Sequence, residues 1–180
     1  MAERESDAIS REQLADLARQ WARRAVTAMA EASGGKTVTR PMFRGRPDLD
    51  CTVTDVEPIA GLRAATSLKH ALRRLALEYV RQAREADDSW HDIGVVLGFG
   101  HLAESDMSVA GAAYDYAAGG PDAWSRSFPW VCPACQATVI DHGPEAGNPE
   151  DQEQGHAADC PRLAAAVTAW NASWDTEDGQ

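Results

Sequence analysis

A mainly α protein carrying one small cysteine-bearing β-hairpin is the fold class this sequence predicts, and three observations predict it. Two long stretches, beginning at Ser10 and at Pro58, repeat their apolar residues at helical spacing. A Cys-x-x-Cys turn, Cys132-Pro-Ala-Cys135, stands between two short β-like runs. After it come a His-x-x-x-Cys pair, His156 and Cys160, and a further amphipathic stretch.

The elements follow in order. Ser10-Arg-Glu-Gln13 fits a capping box, with a hydroxyl at N-cap and Gln at N3. Leu14, Leu17, Trp21, Ala25 and Ala28 then recur at helical spacing, which predicts a core-facing side, with Arg19, Arg23 and Arg24 on the wet side. Ser33-Gly34-Gly35 ends this helix. Residues 36–57 hold the β-like runs Thr37-Val-Thr and Thr52-Val-Thr and read as a loop with one weak hairpin. A second long helix is expected from Pro58 to Ala86, burying Ile59, Leu62, Ala65, Leu68, Leu72, Leu75 and Tyr79. The arginines at 63, 73, 74, 81 and 84 fall on its wet side, where Glu78 and Glu85 can pair with them.

A short helix from Trp90 to Leu97 is entered through Ser89, and another runs from about Asp106 to Ala118, with Gly98 and Gly100 breaking the chain between them. Gly119-Gly120-Pro121 marks the expected domain boundary, giving a helical domain over 1–120 and a metal-binding hairpin and helix over 121–180. In the second part Phe128-Pro-Trp-Val131 and Ala137-Thr-Val-Ile140 read as strands, and Pro161 to Trp174 as a helix with Leu163, Val167, Trp170 and Trp174 on its apolar face.

Zinc needs four converging soft or borderline ligands, and a Cys-x-x-Cys turn supplies two thiolates from one knuckle. Cys132, Cys135, His156 and Cys160 are the expected ligands of one structural zinc. Four protein ligands leave no open position for catalysis, and so small a hairpin and helix needs a metal to fold. His142 is the alternative to His156 on the same spacing logic, and Cys51 reads as a buried apolar residue.

Composition bounds the function. The 180 residues are 44% hydrophobic and 25% charged, the balance of a globular protein. Apolar runs such as 93–99 fall far short of the ~20 residues of a membrane span. The first residues show no basic region followed by an apolar run, so the cytoplasm is the expected compartment, where cysteines serve metals more than disulfides. The net charge of −11 repels phosphate backbones on average, so contact with nucleic acid would need a local basic patch.

The run from Arg84 to Gly98, with Ser89-Trp90, Ile93-Gly94 and Leu97-Gly98, resembles the opening of bacterial helix-turn-helix segments. That resemblance implies a helix-turn-helix-like core, with the helix before Ala118 as the reading helix and DNA as the partner. The sequence departs from the pattern in two ways. Phe99 to Ser105 intervenes where such segments have a turn of three or four residues, and residues 89–120 contain no Lys or Arg. The order of helix, Trp/Phe-rich strand and Cys-x-x-Cys also resembles small uncharacterised actinomycete proteins in which a helix-turn-helix-like segment precedes a zinc site made of a cysteine pair, a histidine and a further cysteine. Arg44-Gly45-Arg46-Pro47 resembles the core of an AT-hook, with Arg40 upstream, which makes Arg40, Arg44 and Arg46 the candidate DNA contacts.

Asp141-His142 resembles the Asp-His step of HNH nucleases, but no further His follows His156 to complete a metal pair, and a His-Gly-Pro turn accounts for these residues. No phosphate-cradling loop or nucleophile elbow is present. The expected function is therefore a small DNA-associated regulatory protein acting by binding and not as an enzyme. The alternative is a zinc-stapled protein–protein adaptor whose acidic, apolar surface around Val109, Ala112, Tyr114 and Tyr116 takes a protein partner. The sequence sets no oligomeric state.

Overall fold

A computed structural model describes residues 10–41, 52–104, 108–119 and 126–177. The fold is mainly α with two small antiparallel sheets, and the chain divides into two compact units, residues 1–74 and 75–180.

In the first unit α1 (Arg11–Ala32) opens on the expected capping box: Gln13 N donates to Ser10 Oγ at 3.2 Å and Ser10 N to Gln13 Oε1 at 2.8 Å. Two strands, β1 (Thr37–Pro41) and β2 (Thr52–Val56), pair antiparallel with Thr37 opposite Val56. The hairpin therefore forms, supported by a cross-strand contact of 3.3 Å between the Thr39 and Thr54 hydroxyls. Helix α2 (Pro58–Glu85) follows. Among the described residues the buried core here is Ala30, Val56 and Ala64, with Val26, Met29 and Ala60 against them. A Cβ at Gly35 would stand 2.7 Å from the Ala30 carbonyl oxygen and 2.9 Å from Ala60 Cβ, so this close approach requires glycine.

The apolar stripes lie differently from the sequence expectation. Leu14, Leu17 and Trp21 of α1 are exposed, as are Ile59, Leu62, Ala65, Leu72, Leu75 and Tyr79 of α2. Periodicity identifies an apolar face but not what covers it, and in this unit the small residues make the core.

The second unit is built on the end of α2, from Leu75 to Glu85. Helix α3 (Trp90–Val96), capped by the Ser89 hydroxyl, leads through a 3₁₀ turn at Phe99–Glu104 to α4 (Val109–Ala118). Strands β3 (Phe128–Val131), β4 (Thr138–Asp141) and β5 (Glu153–Gln154) form one antiparallel sheet in that order. The short α5 (Pro149–Gln152) leads into β5, and α6 (Pro161–Glu177) closes the described chain.

One core joins Val80 of α2, Trp90 and Ile93 of α3, Ala113, Tyr114 and Ala117 of α4, Phe128 and Trp130 of β3, and Val139 of β4. Trp90 meets both Tyr114 and Phe128 edge to face, with ring centroids 5.3 and 5.6 Å apart. The compact units thus part at Arg74/Leu75 and not at the expected 120/121, because α3 and α4 share their core with the hairpin. Sharing it also corrects the expected partner surface, since Val109, Ala112 and Tyr114 are buried.

Two glycines separate backbone strain from packing. Both Gly98 (φ +91°) and Gly143 (φ +89°) are left-handed, but a Cβ at Gly98 meets nothing within 4 Å, whereas one at Gly143 falls 2.6–2.8 Å from the Tyr114 ring. Gly98→Ala should cost about 1 kcal/mol and Gly143→Ala roughly 2–4 kcal/mol, the second adding ring displacement in a packed core to the backbone term. Chemical denaturation of both variants measures the difference; equal losses would refute the packing account.

Candidate metal centre

The turn after β3 folds into a knuckle. Cys132 N donates to Ala137 O at 3.0 Å, Gln136 N donates to Cys132 O at 2.7 Å, and Gln136 takes a positive φ of 59° to close it. Cys132 and Cys135 are thereby set on one side. The other pair comes from the segment after β5: Gly155 (φ +97°) turns the chain at His156, and the Cys160 carbonyl accepts the Ala164 N–H at 3.1 Å at the start of α6. That helix was expected, and its first residue, Pro161, has no N–H to leave unpaired.

The structure brings all four expected ligands together, their donor atoms within 4.8 Å of one another. The Sγ atoms of Cys132 and Cys160 are 3.8 Å apart, and Cys135 Sγ lies 3.7 Å from His156 Nδ1. A tetrahedral ion with metal–sulfur bonds of about 2.3 Å needs ligand separations of about 3.8 Å, so the residues fit a four-coordinate metal. Cys135 Sγ accepts backbone hydrogen bonds from the 157 and 137 positions, and these chiefly lower its pKa to about 6, with His156 contributing. Burial pushes the Cys132 thiol up.

Behind the ligands stands a buried polar chain that sequence reasoning missed. His156 Nε2 lies 3.1 Å from Glu153 Oε2, which fixes Nδ1 as the ligand atom. The other oxygen of Glu153 accepts from Arg84 Nη2. Arg84 Nε donates to Asp141 Oδ2 at 3.2 Å, and its Nη1 to the Asp88 carbonyl at 2.6 Å. Asp141 also accepts from Trp90 Nε1 at 3.1 Å and from Gly143 N at 2.8 Å. Its pKa is raised by burial, against the pull of Arg84. Arg162 lies over the Trp130 ring at 4.3 Å and donates to the Arg84 carbonyl at 2.9 Å.

Arg84 is therefore buried, not on the wet side of its helix, and Arg81 donates to the Pro129 carbonyl at 3.2 Å. The one available signal was Glu153 standing three residues before His156. Arg84 could not be found from sequence, because its partners are 57 and 69 residues away. His142 takes no part in the cluster and lines a pocket with Tyr114, Asp115 and Arg126. Arg40 stands in β1 opposite Val53, while Arg44, Arg46 and Cys51 lie outside the described residues.

No protein-family model, curated protein or solved structure matches this chain.

Two measurements check the site. Cys135→Ser should lower both the metal content of purified protein and its thermal stability, whereas Glu153→Gln should keep the ligands and weaken metal binding roughly 10- to 100-fold in a chelator competition. Unchanged affinity in Glu153→Gln would remove Glu153 from the site. Separately, Arg84→Met should cost about 3–5 kcal/mol in denaturant unfolding, because Asp141 would stay buried without its cation.

Proposed function

We propose that this chain is a zinc-stapled, DNA-associated regulatory protein that acts by binding and performs no catalysis. The observation that carries the reading is how charge divides between the compact units. Residues 1–74 hold 13 Lys/Arg against 10 Asp/Glu, a balance of +3, and residues 75–180 hold 4 against 18, a balance of −14. Within α2 the stretch from Pro58 to Arg74 carries Arg63, Lys69, Arg73 and Arg74 and no acid. The paired strands β1 and β2 are joined by the ten residues 42–51, which include Arg44 and Arg46. A basic helix run and a ribbon with arginines in its connection supply the local patch that an otherwise acidic protein needs to approach phosphates.

On this reading the helix-turn-helix resemblance describes packing, not base reading. Five of the ten residues of α4 are buried, and the helix has no cation to offer a phosphate. Contact runs instead through Arg40, Arg44, Arg46 and the basic half of α2. Three thiolates and an imidazole in a tetrahedral set favour zinc among the common divalent metals. All four positions are protein ligands, so its role is structural, in the reducing cytoplasm that keeps such thiols free.

A protein partner is the second reading, favoured by the groove between α2 and α3. Tyr79 and Val96 are 62% and 86% exposed beside Ala76, Ala83 and Leu97, with Asp88 and Asp92 on the rim.

A salt titration of duplex-DNA binding by the zinc-loaded protein separates the two. Affinity should fall by about 0.9 log units per log unit of salt for each phosphate neutralised, and Arg44→Ala with Arg46→Ala should flatten that slope. No retention of DNA at low salt, or an unchanged slope in the double variant, would overturn the DNA reading and leave the groove as the functional surface.

A further inference from the structure

Asp87, in the turn between α2 and α3, has a positive φ of 74° without being a glycine. A residue with a side chain keeps such a conformation only where its surroundings hold it. Two arginines do so here. Arg84 Nη1 donates to the Asp88 carbonyl at 2.6 Å, and Arg162 Nη2 lies 2.9 Å from Asp87 Oδ1 and 2.9 Å from the Arg84 carbonyl oxygen. Each arginine is in turn tied to a candidate metal ligand. Arg84 holds one oxygen of Glu153, whose other oxygen meets His156 Nε2 at 3.1 Å. Arg162 stands two residues after Cys160 and lies over the Trp130 ring, which itself meets the His156 ring edge to face with centroids 5.8 Å apart. One pair of guanidiniums thus connects the ligand cluster to the turn.

We propose that metal occupancy is the switch for this turn: with a metal on the four ligands the turn is held closed, and without one it is released. The inference rests on the reading of Cys132, Cys135, His156 and Cys160 as a metal site, and it stands independently of whether DNA is bound. With Nδ1 given to a metal, the His156 ring proton is confined to Nε2. The contact to Glu153 is then a donated hydrogen bond, which keeps the carboxylate turned to both His156 and Arg84. Without a metal the proton can sit on either ring nitrogen, and with it on Nδ1 two acceptors face each other and the carboxylate is pushed away. Arg84, and with it the hold on the Asp88 carbonyl, follows Glu153. Arg162 loses its anchor when Cys160 does. A ligand shifts an equilibrium only through contacts that differ between the two states, and both of these routes end on one strained turn. Asp88 also lines the groove between α2 and α3 beside Tyr79 and Val96, so the switch shapes that surface.

The zinc content of the purified full chain is measured first, since a chain that takes up no zinc fails the metal reading and this proposal with it. The Asp87 and Asp88 amides donate to Arg84 O at 3.2 Å and to Ala83 O at 3.0 Å, so their hydrogen exchange reports the turn. Stripping zinc with a chelator should speed that exchange about 5- to 150-fold, the range of ordinary coupling between sites. Unchanged exchange overturns the switch and leaves the metal site standing. By reciprocity, opening the turn must weaken zinc binding. Asp87→Val puts a β-branched residue at the left-handed position and removes the partner of Arg162, at a side chain that is 76% exposed and is not one of the four ligands. Its zinc affinity in a chelator competition should fall at least about 5-fold. Gly98→Val places the same residue at another left-handed turn, to which neither arginine is bonded and where a Cβ meets nothing within 4 Å. That variant carries a backbone cost of the same kind, and its zinc affinity should stay within about twofold of the wild type. Equal losses in the two variants would mean a general loosening of the fold, and an unchanged Asp87→Val would mean no coupling; either result overturns the proposal.

Discussion

Arg84 is the charge on which residues 75–180 depend. Its guanidinium is buried between the carboxylates of Asp141, at the end of β4, and Glu153, at the start of β5, while a third donor reaches the backbone beyond α2. A charge placed there costs several kcal/mol in lost hydration unless every donor is matched, so the ion set defines the arrangement more than it strengthens it. It fixes where α2 meets the sheet and which way Asp141 points. That in turn gives Trp90 Nε1 its acceptor and so seats the ring that Tyr114 and Phe128 pack against. Helix, sheet and metal ligand are thereby held in one register by a single side chain.

The same network gives the metal cluster a foundation outside its own loop. Glu153 uses one oxygen for Arg84 and the other for His156, so the imidazole is oriented by groups anchored in α2 and β4 as well as by the turn at Gly155. An oriented ligand loses less freedom when it binds a metal. The polar chain and the four candidate ligands therefore form one connected structure.

How much could be read beforehand depended on the range of the interaction that decided each feature. Caps, the glycine-ended first helix, the Cys-x-x-Cys knuckle and the strands either side of it are local. Ser10, Ser89 and Cys132 to Cys135 declare them within a few residues, and the four ligands were legible from the same short spacings. Burial is not local. The stripe through Leu14, Leu17 and Trp21 reads as core by period alone, yet those side chains are exposed while Ala30, Val56 and Ala64 are covered. The boundary expected at Gly119-Gly120-Pro121 followed the composition of the chain, whereas the actual division follows α3 and α4 packing on a hairpin that begins at Phe128. Arg84 belonged to no local pattern.

The two units differ in what holds them. Among the described residues, unit 75–180 buries four aromatic rings, an ion network and a cluster of candidate metal ligands, whereas the first unit buries two alanines and a valine beside a helix of 22 residues. Helices of that length draw most of their stability from tertiary burial, and three small side chains supply little of it. Each unit nonetheless carries long apolar side chains in the open: Leu14, Leu17 and Trp21 in one, Leu75, Tyr79 and Val96 in the other.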